Sequence, residues 1–233
     1  MKKAVCLLLV VSFLTIVVPA ADAAVITQTK DFDGIPNMTG SLNFNQFNNS
    51  GGLTLQSIEV SLALQTSGGN LKLDNDSTSP ASGTFEFGAK GNLSSTDVVL
   101  LNSLFSPVPG EVSAIYSQVF NLAANVGDGP GDYDPTPPDG LLYCGGTINK
   151  SLSGYVTSPV WYAGTKGFVG TGTYNISYTV YQWLDYGSIG GIEYAAIPGS
   201  VNGNVTVVYN YIPEPTTLLL LGLGAVMLRR KTA

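Results

Sequence analysis

Histidine is absent from all 233 residues, and its absence removes every mechanism that needs an imidazole. A Ser-His-Asp triad, a Cys-His pair and a His-ligated zinc or iron are excluded. Charge is also scarce, with Asp, Glu, Lys and Arg making up 11% of the chain. Between residues 24 and 211 there is no arginine, and five lysines (Lys30, Lys72, Lys90, Lys150 and Lys166) stand against 14 acids, a net charge of −9. A body this acidic does not bind nucleic acid through its phosphates; it stays soluble and attracts cations. Cysteine is limited to Cys6 and Cys144. Only Cys144 lies in the body, so no disulfide forms within it. Cys144 is either a buried apolar thiol or one that pairs between chains; with no basic sequence neighbour to lower its pKa, a buried, unreactive thiol is expected.

Long apolar runs are confined to the two ends. Met1-Lys2-Lys3 precedes an apolar run from Ala4 to Val18, then Pro19 and the small residues Ala20-Ala21-Asp22-Ala23. A charged head, a short apolar core and an Ala-x-Ala site are the three parts of a secretory signal peptide, with cleavage expected after Ala23. Fifteen helical residues rise about 22 Å, less than the bilayer hydrocarbon, so this segment is not a permanent span. Cys6 reads as an apolar residue of that discarded leader.

At the other end, Ile212-Pro213-Glu214-Pro215 is followed by the apolar stretch Thr216 to Leu228 and the cluster Arg229-Arg230-Lys231. Thirteen residues rise about 20 Å as a helix, too short for stable anchoring, and the cations after them act as a membrane stop on the cytoplasmic side. The two prolines hold the motif extended at the outer membrane face, within reach of a membrane protease. This order of motif, short apolar helix and basic cluster resembles the PEP-CTERM sorting signal, with Ile212 where members often carry valine. The resemblance implies processing near Pro213-Glu214-Pro215 by exosortase.

The body reads as short strands joined by Gly, Asn, Ser and Pro turns. Ile58, Val60, Leu62 and Leu64 alternate with polar or small residues, as do Tyr174, Ile176, Tyr178 and Val180, and Val205, Val207, Tyr209 and Tyr211. Leu53 and Leu55 fall in the opposite parity to Ile58, which predicts a β-bulge near Gln56-Ser57 or two separate strands. Val112 to Leu122 fits a strand or a helix, since Val112, Ile115, Val119 and Leu122 also follow the helical period. With no βα alternation, the expected fold is all-β: an antiparallel, jelly-roll-like β-sandwich flanked by a signal helix and a short C-terminal hydrophobic helix. The expected organisation is signal peptide 1–23, β-sandwich 24–211 and sorting tail 212–233.

The body resembles the choice-of-anchor E domain through Gly51-Gly52-Leu53-Thr54-Leu55-Gln56-Ser57-Ile58-Glu59-Val60, Gly167-Phe168-Val169-Gly170-Thr171-Gly172-Thr173 and Asn204-Val205-Thr206-Val207-Val208-Tyr209-Asn210-Tyr211. The resemblance implies placement at the surface or outside the cell and carries no catalytic residues.

Three constellations carry candidate chemistry. The loop from Asp128 to Gly140 holds Asp128, Asp132, Asp134 and Asp139 with no base, and its Asp-x-Asp spacing suits calcium, though the EF-hand pattern fails and a solvated turn explains the same residues. Asp74-Asn75-Asp76 and Asp31-Phe32-Asp33 are weaker versions. Tyr181 and Trp183 lie opposite in parity to the Tyr174-Ile176-Tyr178 face, so they are candidates to stack on sugar rings; packing under a loop is the alternative. Glu59, Glu86, Glu111 and Glu193 are scattered, without the paired spacing of a glycosidase. Seven Asn-x-Ser/Thr sequons, at Asn37, Asn48, Asn75, Asn92, Asn149, Asn175 and Asn204, reflect richness in those residues, with glycan attachment as the alternative.

The sequence therefore predicts a non-enzymatic exported protein with a structural or adhesive role at the cell surface or extracellular matrix. It would be handled by the general secretory machinery, signal peptidase and an exosortase-like protease, pausing in the inner membrane. The alternative is a module binding extracellular polysaccharide. No cofactor is expected apart from the calcium reading.

Overall fold

The computed structural model describes residues 23–50, 52–101, 110–127 and 134–213. Eleven strands follow in order: β1 (Ala24–Gly34), β2 (Met38–Asn45), β3 (Leu53–Ser67), β4 (Asn70–Asn75), β5 (Ala81–Ser94), β6 (Val112–Leu122), β7 (Gly140–Cys144), β8 (Thr147–Val156), β9 (Thr173–Asp185), β10 (Ile192–Ile197) and β11 (Ser200–Pro213). Among the described residues the helical content is a single 3-10 turn, Ser158–Val160. No helix among them is long and apolar enough to cross a membrane. Both expected flanking helices lie outside the described residues.

The strands form sheets of order β1-β11-β3-β8, β2-β9-β5-β6 and β10-β4-β7. All strand pairs are antiparallel. The third sheet continues the first. Ser67 pairs with Ser200 and with Thr147, and pairing resumes with Asn70 opposite Ile197 and Cys144. All three chains thus lapse over the same two-residue interval: Gly68-Gly69, Gly145-Gly146 and Pro198-Gly199. Treating β3-β4, β7-β8 and β10-β11 as single interrupted strands leaves eight strands in the sheet orders 1-8-3-6 and 2-7-4-5, the jelly-roll arrangement of two four-stranded sheets. The expected all-β sandwich is borne out.

The seam of glycines has a steric cause. A Cβ at Gly69, whose φ is +80°, would lie 2.6 Å from the Gly199 nitrogen and 2.8 Å from the Ile197 carbonyl oxygen. A Cβ at Gly145 would strike the Gly68 carbonyl, and one at Gly199 would strike the carbonyls of Ser67 and Gly68. Three backbones abut where side chains have no room.

The sheet β2-β9-β5-β6 covers both halves of this long layer with one face. Ala89, Leu93, Ala114, Tyr174, Ile176 and Val180 pack on Ile58, Leu62, Leu64, Val205, Val207 and Tyr209 in the main core. Phe85, Phe87, Phe120 and Leu122 pack on Leu71 and Leu73 in a second core beyond the seam. The parity slip in β3 is a bulge: Tyr211 pairs with Leu55 and Asn210 with Ser57, leaving Gln56 as the extra residue. Val112–Leu122 is a strand, because Val112, Ala114, Phe120 and Leu122 face inward while Val119 is 63% exposed. Inside the main core, the hydroxyls of Tyr174 and Tyr209 lie 2.7 Å apart, and that of Tyr209 donates to the Asn45 carbonyl. Burial pushes both phenols above their ordinary range.

Candidate functional site

The sorting motif begins where the last ladder ends. Pro213 pairs with Leu53, and Ala24 opens β1 opposite Tyr211 on the adjacent strand. The expected signal-cleavage point at Ala23 and the start of the motif therefore meet at one end of the sandwich, with no linker between the last strand and Pro213. A proline is tolerated there because a strand terminus needs no further donor. Glu214, Pro215, Arg229, Arg230 and Lys231 lie outside the described residues.

Tyr181 and Trp183 sit on the outer face of the second sheet, opposite Lys90 and Gly88 of β5. Their polar and charged neighbours close on one another. The Trp183 Nε1–H donates to Glu86 Oε2 at 2.8 Å, and Lys90 Nζ lies 3.3 Å from the indole centroid. Lys90 also pairs with Glu111 at 3.2 Å, and the Tyr181 hydroxyl donates to the same carboxylate. That hydrogen bond holds the Glu111 carboxyl low and, from the other side, pushes the Tyr181 phenol up to about 12. One face of the indole is thus covered by an ammonium, and both side chains are half-buried.

The acidic loop is divided. Asp128 and Asp132 lie outside the described residues. Asp139 is buried and accepts from the Val126 amide at 2.7 Å, while Asp134 caps its own turn by accepting from the Thr136 amide and hydroxyl. Those bonds from Thr136 hold the Asp134 carboxyl low. The Asp134 amide in turn reaches Asp74 Oδ2 at 3.3 Å. Nearby, Asp76 accepts from Asn125 Nδ2, and burial together with its hydrogen bond to Glu193 raises its carboxyl above the ordinary range. Among the described residues, no three His, Cys, Asp or Glu side chains are grouped to hold a metal ion.

One further acid escapes the sequence reading, and the thiol differs from it. Asp97 is a loop anchor: it pairs with Lys166 at 3.0 Å and accepts from the Asn175 amide and the Thr165 hydroxyl, which together hold it low. Cys144 is exposed, which corrects the expectation of a buried thiol. It ends the short strand β7, where Leu141 and Tyr143 turn inward and Leu142 and Cys144 turn to solvent.

The sequence reading also missed a shallow cleft of about 800 Å³ on the outer face of the first sheet, lined by Asp31, Asp33, Ala63, Gln65, Asn149, Lys150, Ser151, Asn202 and Asn204 among others. Its residues come from β1, β11, β3 and β8, so the only local signal was the Asp31-Phe32-Asp33 spacing.

No curated protein matches the chain. Solved structures with some likeness include the STIV MCP (12% identity, TM-score 0.24, covering 78% of this chain and 48% of that one). Dimeric latent PorU from Porphyromonas gingivalis gives 9% identity and a TM-score of 0.25, covering 84% of this chain and 14% of that one. For turnip yellow mosaic virus the values are 9%, 0.20 and 85% of both chains. The chain thus spans about half the length of the first and a small part of the second. Likeness this weak bears on neither ligand nor role, and the jelly-roll assignment rests on strand order. A match to the PEP-CTERM protein-sorting motif covers residues 212–231, and the motif marks the chain as exported, sorted to the cell surface and processed by an exosortase.

Proposed function

We propose that this is a non-enzymatic structural or adhesive protein of the cell surface or extracellular matrix. On this reading the secretory machinery exports it, signal peptidase cuts after Ala23, and the tail Thr216 to Lys231 pauses it in the inner membrane before exosortase cleavage. The observation that carries the reading is the sorting motif set directly on the end of the last strand, with Pro213 still paired to Leu53. The resemblance of the body to the choice-of-anchor E domain is consistent with it. Acids away from the first-sheet cleft are spent on structure, in keeping with a non-enzymatic role: Asp97 on a loop, Glu86 and Glu111 on Trp183, Lys90 and Tyr181, Asp139 on a backbone amide. Asp134 is likewise engaged within its own turn.

Replacing Pro213, Glu214 and Pro215 by alanine and fractionating the producing cells tests the reading. The altered protein should remain in the inner membrane with its tail attached. Wild-type abundance at the surface in this variant would refute it.

A further inference from the structure

The register places four straight rows of side chains across the outer face of the first sheet. Asp33, Asn202, Gln65 and Asn149 form the first, and Asp31, Asn204, Ala63 and Ser151 the second. Thr29, Thr206, Ser61 and Ser153 form the third, and Thr27, Val208, Glu59 and Tyr155 the fourth. The first two rows make the cleft, whose floor is low because Ala63 and Ser151 are short. Its volume of about 800 Å³ falls within the range of built ligand sites.

The bonding capacity of this face is largely unspent. Gln65 Nε2 donates to Asn149 Oδ1 at 2.6 Å, and the hydroxyls of Thr29 and Thr206 lie 3.0 Å apart. The side chains of Asp31, Asp33, Asn202, Asn204 and Ser151 make no hydrogen bond or ion pair with any other described residue. This is the reverse of the Trp183 face, where Lys90, Glu86, Glu111 and Tyr181 satisfy one another.

The occupant follows from the chemistry. Asp31 and Asp33 only accept, whereas the amides of Asn202, Asn204 and Asn149 both donate and accept. A partner must therefore present groups that do both, which hydroxyls do. Phosphate, sulfate and uronate groups only accept and meet two carboxylates against the single charge of Lys150, so an anionic chain is disfavoured. A protein partner would need an apolar centre, and the first three rows hold no side chain larger than methyl that is apolar. Strands lie about 4.8 Å apart, the same order as the repeat of a sugar chain, so a glycan laid across the strands meets a fresh polar row-mate at each residue.

We propose that this cleft binds a neutral, hydroxyl-rich polysaccharide, with Asn202, Asn204, Gln65 and Asn149 reading its hydroxyls and Asp31 and Asp33 accepting from them. The proposal rests on the adhesive reading above and names its ligand class.

The test is native electrophoresis of the full chain, purified from the producing cells, through gels containing galactomannan, hydroxyethylcellulose or alginate. Wild type should be retarded by at least one of the neutral polymers and not by alginate. Asn202→Ala with Asn204→Ala should weaken retardation at least fivefold with an unchanged melting curve. Ala63→Trp, which fills the floor and removes no polar group, should abolish it. Trp183→Ala should leave it intact. The proposal is overturned by an absence of retardation in both neutral polymers, by retardation in alginate alone, by loss only in Trp183→Ala, or by a self-association that the Asn202/Asn204 variant disrupts. Surface localisation is read separately by fractionation, so failure of binding in a correctly sorted protein removes the cleft proposal and leaves the sorting reading standing.

Discussion

Alanine at Gly68 and at Gly69 separates two costs that the glycine seam combines. Both residues have left-handed backbones, with φ of +69° and +80°. A Cβ at Gly68 meets nothing within 4 Å, whereas one at Gly69 lies 2.6 Å from the Gly199 nitrogen and 2.8 Å from the Ile197 oxygen. Gly68→Ala therefore incurs only the left-handed cost of about 1–2 kcal/mol. Reduced freedom of the unfolded chain offsets roughly 0.4–1 kcal/mol of that. Gly69→Ala adds overpacking against immobile backbone, about 1–3 kcal/mol. The difference of roughly 2 kcal/mol corresponds to about 4–8 °C in melting temperature for a domain of this size. Thermal melts or urea titrations of the two variants side by side provide the measurement. Equal destabilisation would mean that the three chains do not abut at the seam, and the single-layer reading of the two sheets would fail.

Removing the Tyr209 hydroxyl strands the buried Tyr174 hydroxyl, so Tyr209→Phe should cost about 1–3 kcal/mol, and Tyr174→Phe, which leaves the bond to Asn45 in place, about 1 kcal/mol; denaturant midpoints in the reverse order would contradict the network. Asp76 has a raised carboxyl, so the folded state favours its protonated form, and the stability this contributes at low pH is lost as pH rises from the ordinary carboxylate range through that raised value. Asp76→Asn should accordingly melt higher than wild type at neutral pH, with the advantage shrinking as pH falls into the ordinary carboxylate range; a lower melting point at pH 7 would refute this. The exposed Cys144 should react with a thiol reagent without denaturant, one equivalent per processed chain, and protection until unfolding would contradict its placement.

What was legible in the sequence is what one buried face imposes. Tyr174, Ile176 and Val180, or Val205, Val207 and Tyr209, alternate because every second residue enters the core, and the slip between Leu55 and Ile58 announced the bulge at Gln56. Alternation fails where the outer face is also apolar: Ile115 and Val119 lent β6 a helical period although Val119 faces solvent. In the five-residue β7 every neighbour of Cys144 was equally compatible with either parity, so its exposure could not be read. The glycine seam was invisible for a different reason. Gly68-Gly69, Gly145-Gly146 and Pro198-Gly199 each look like an ordinary turn, and only the register brings them side by side. The cleft likewise joins Asp31, Gln65, Asn149 and Asn202 from four distant strands. Trp183 was correctly sent to the outer face by parity, but nothing local foretold that Lys90 would cover its ring.

The central claim is that the tail from the motif onward is a sorting device removed after use. Intact-mass analysis of the protein recovered from the surface of its native host tests it most directly. The account predicts a chain beginning at Ala24 and lacking everything from about Thr216. A surface species that still carries Arg229 to Ala233 would contradict it and make the tail a membrane anchor.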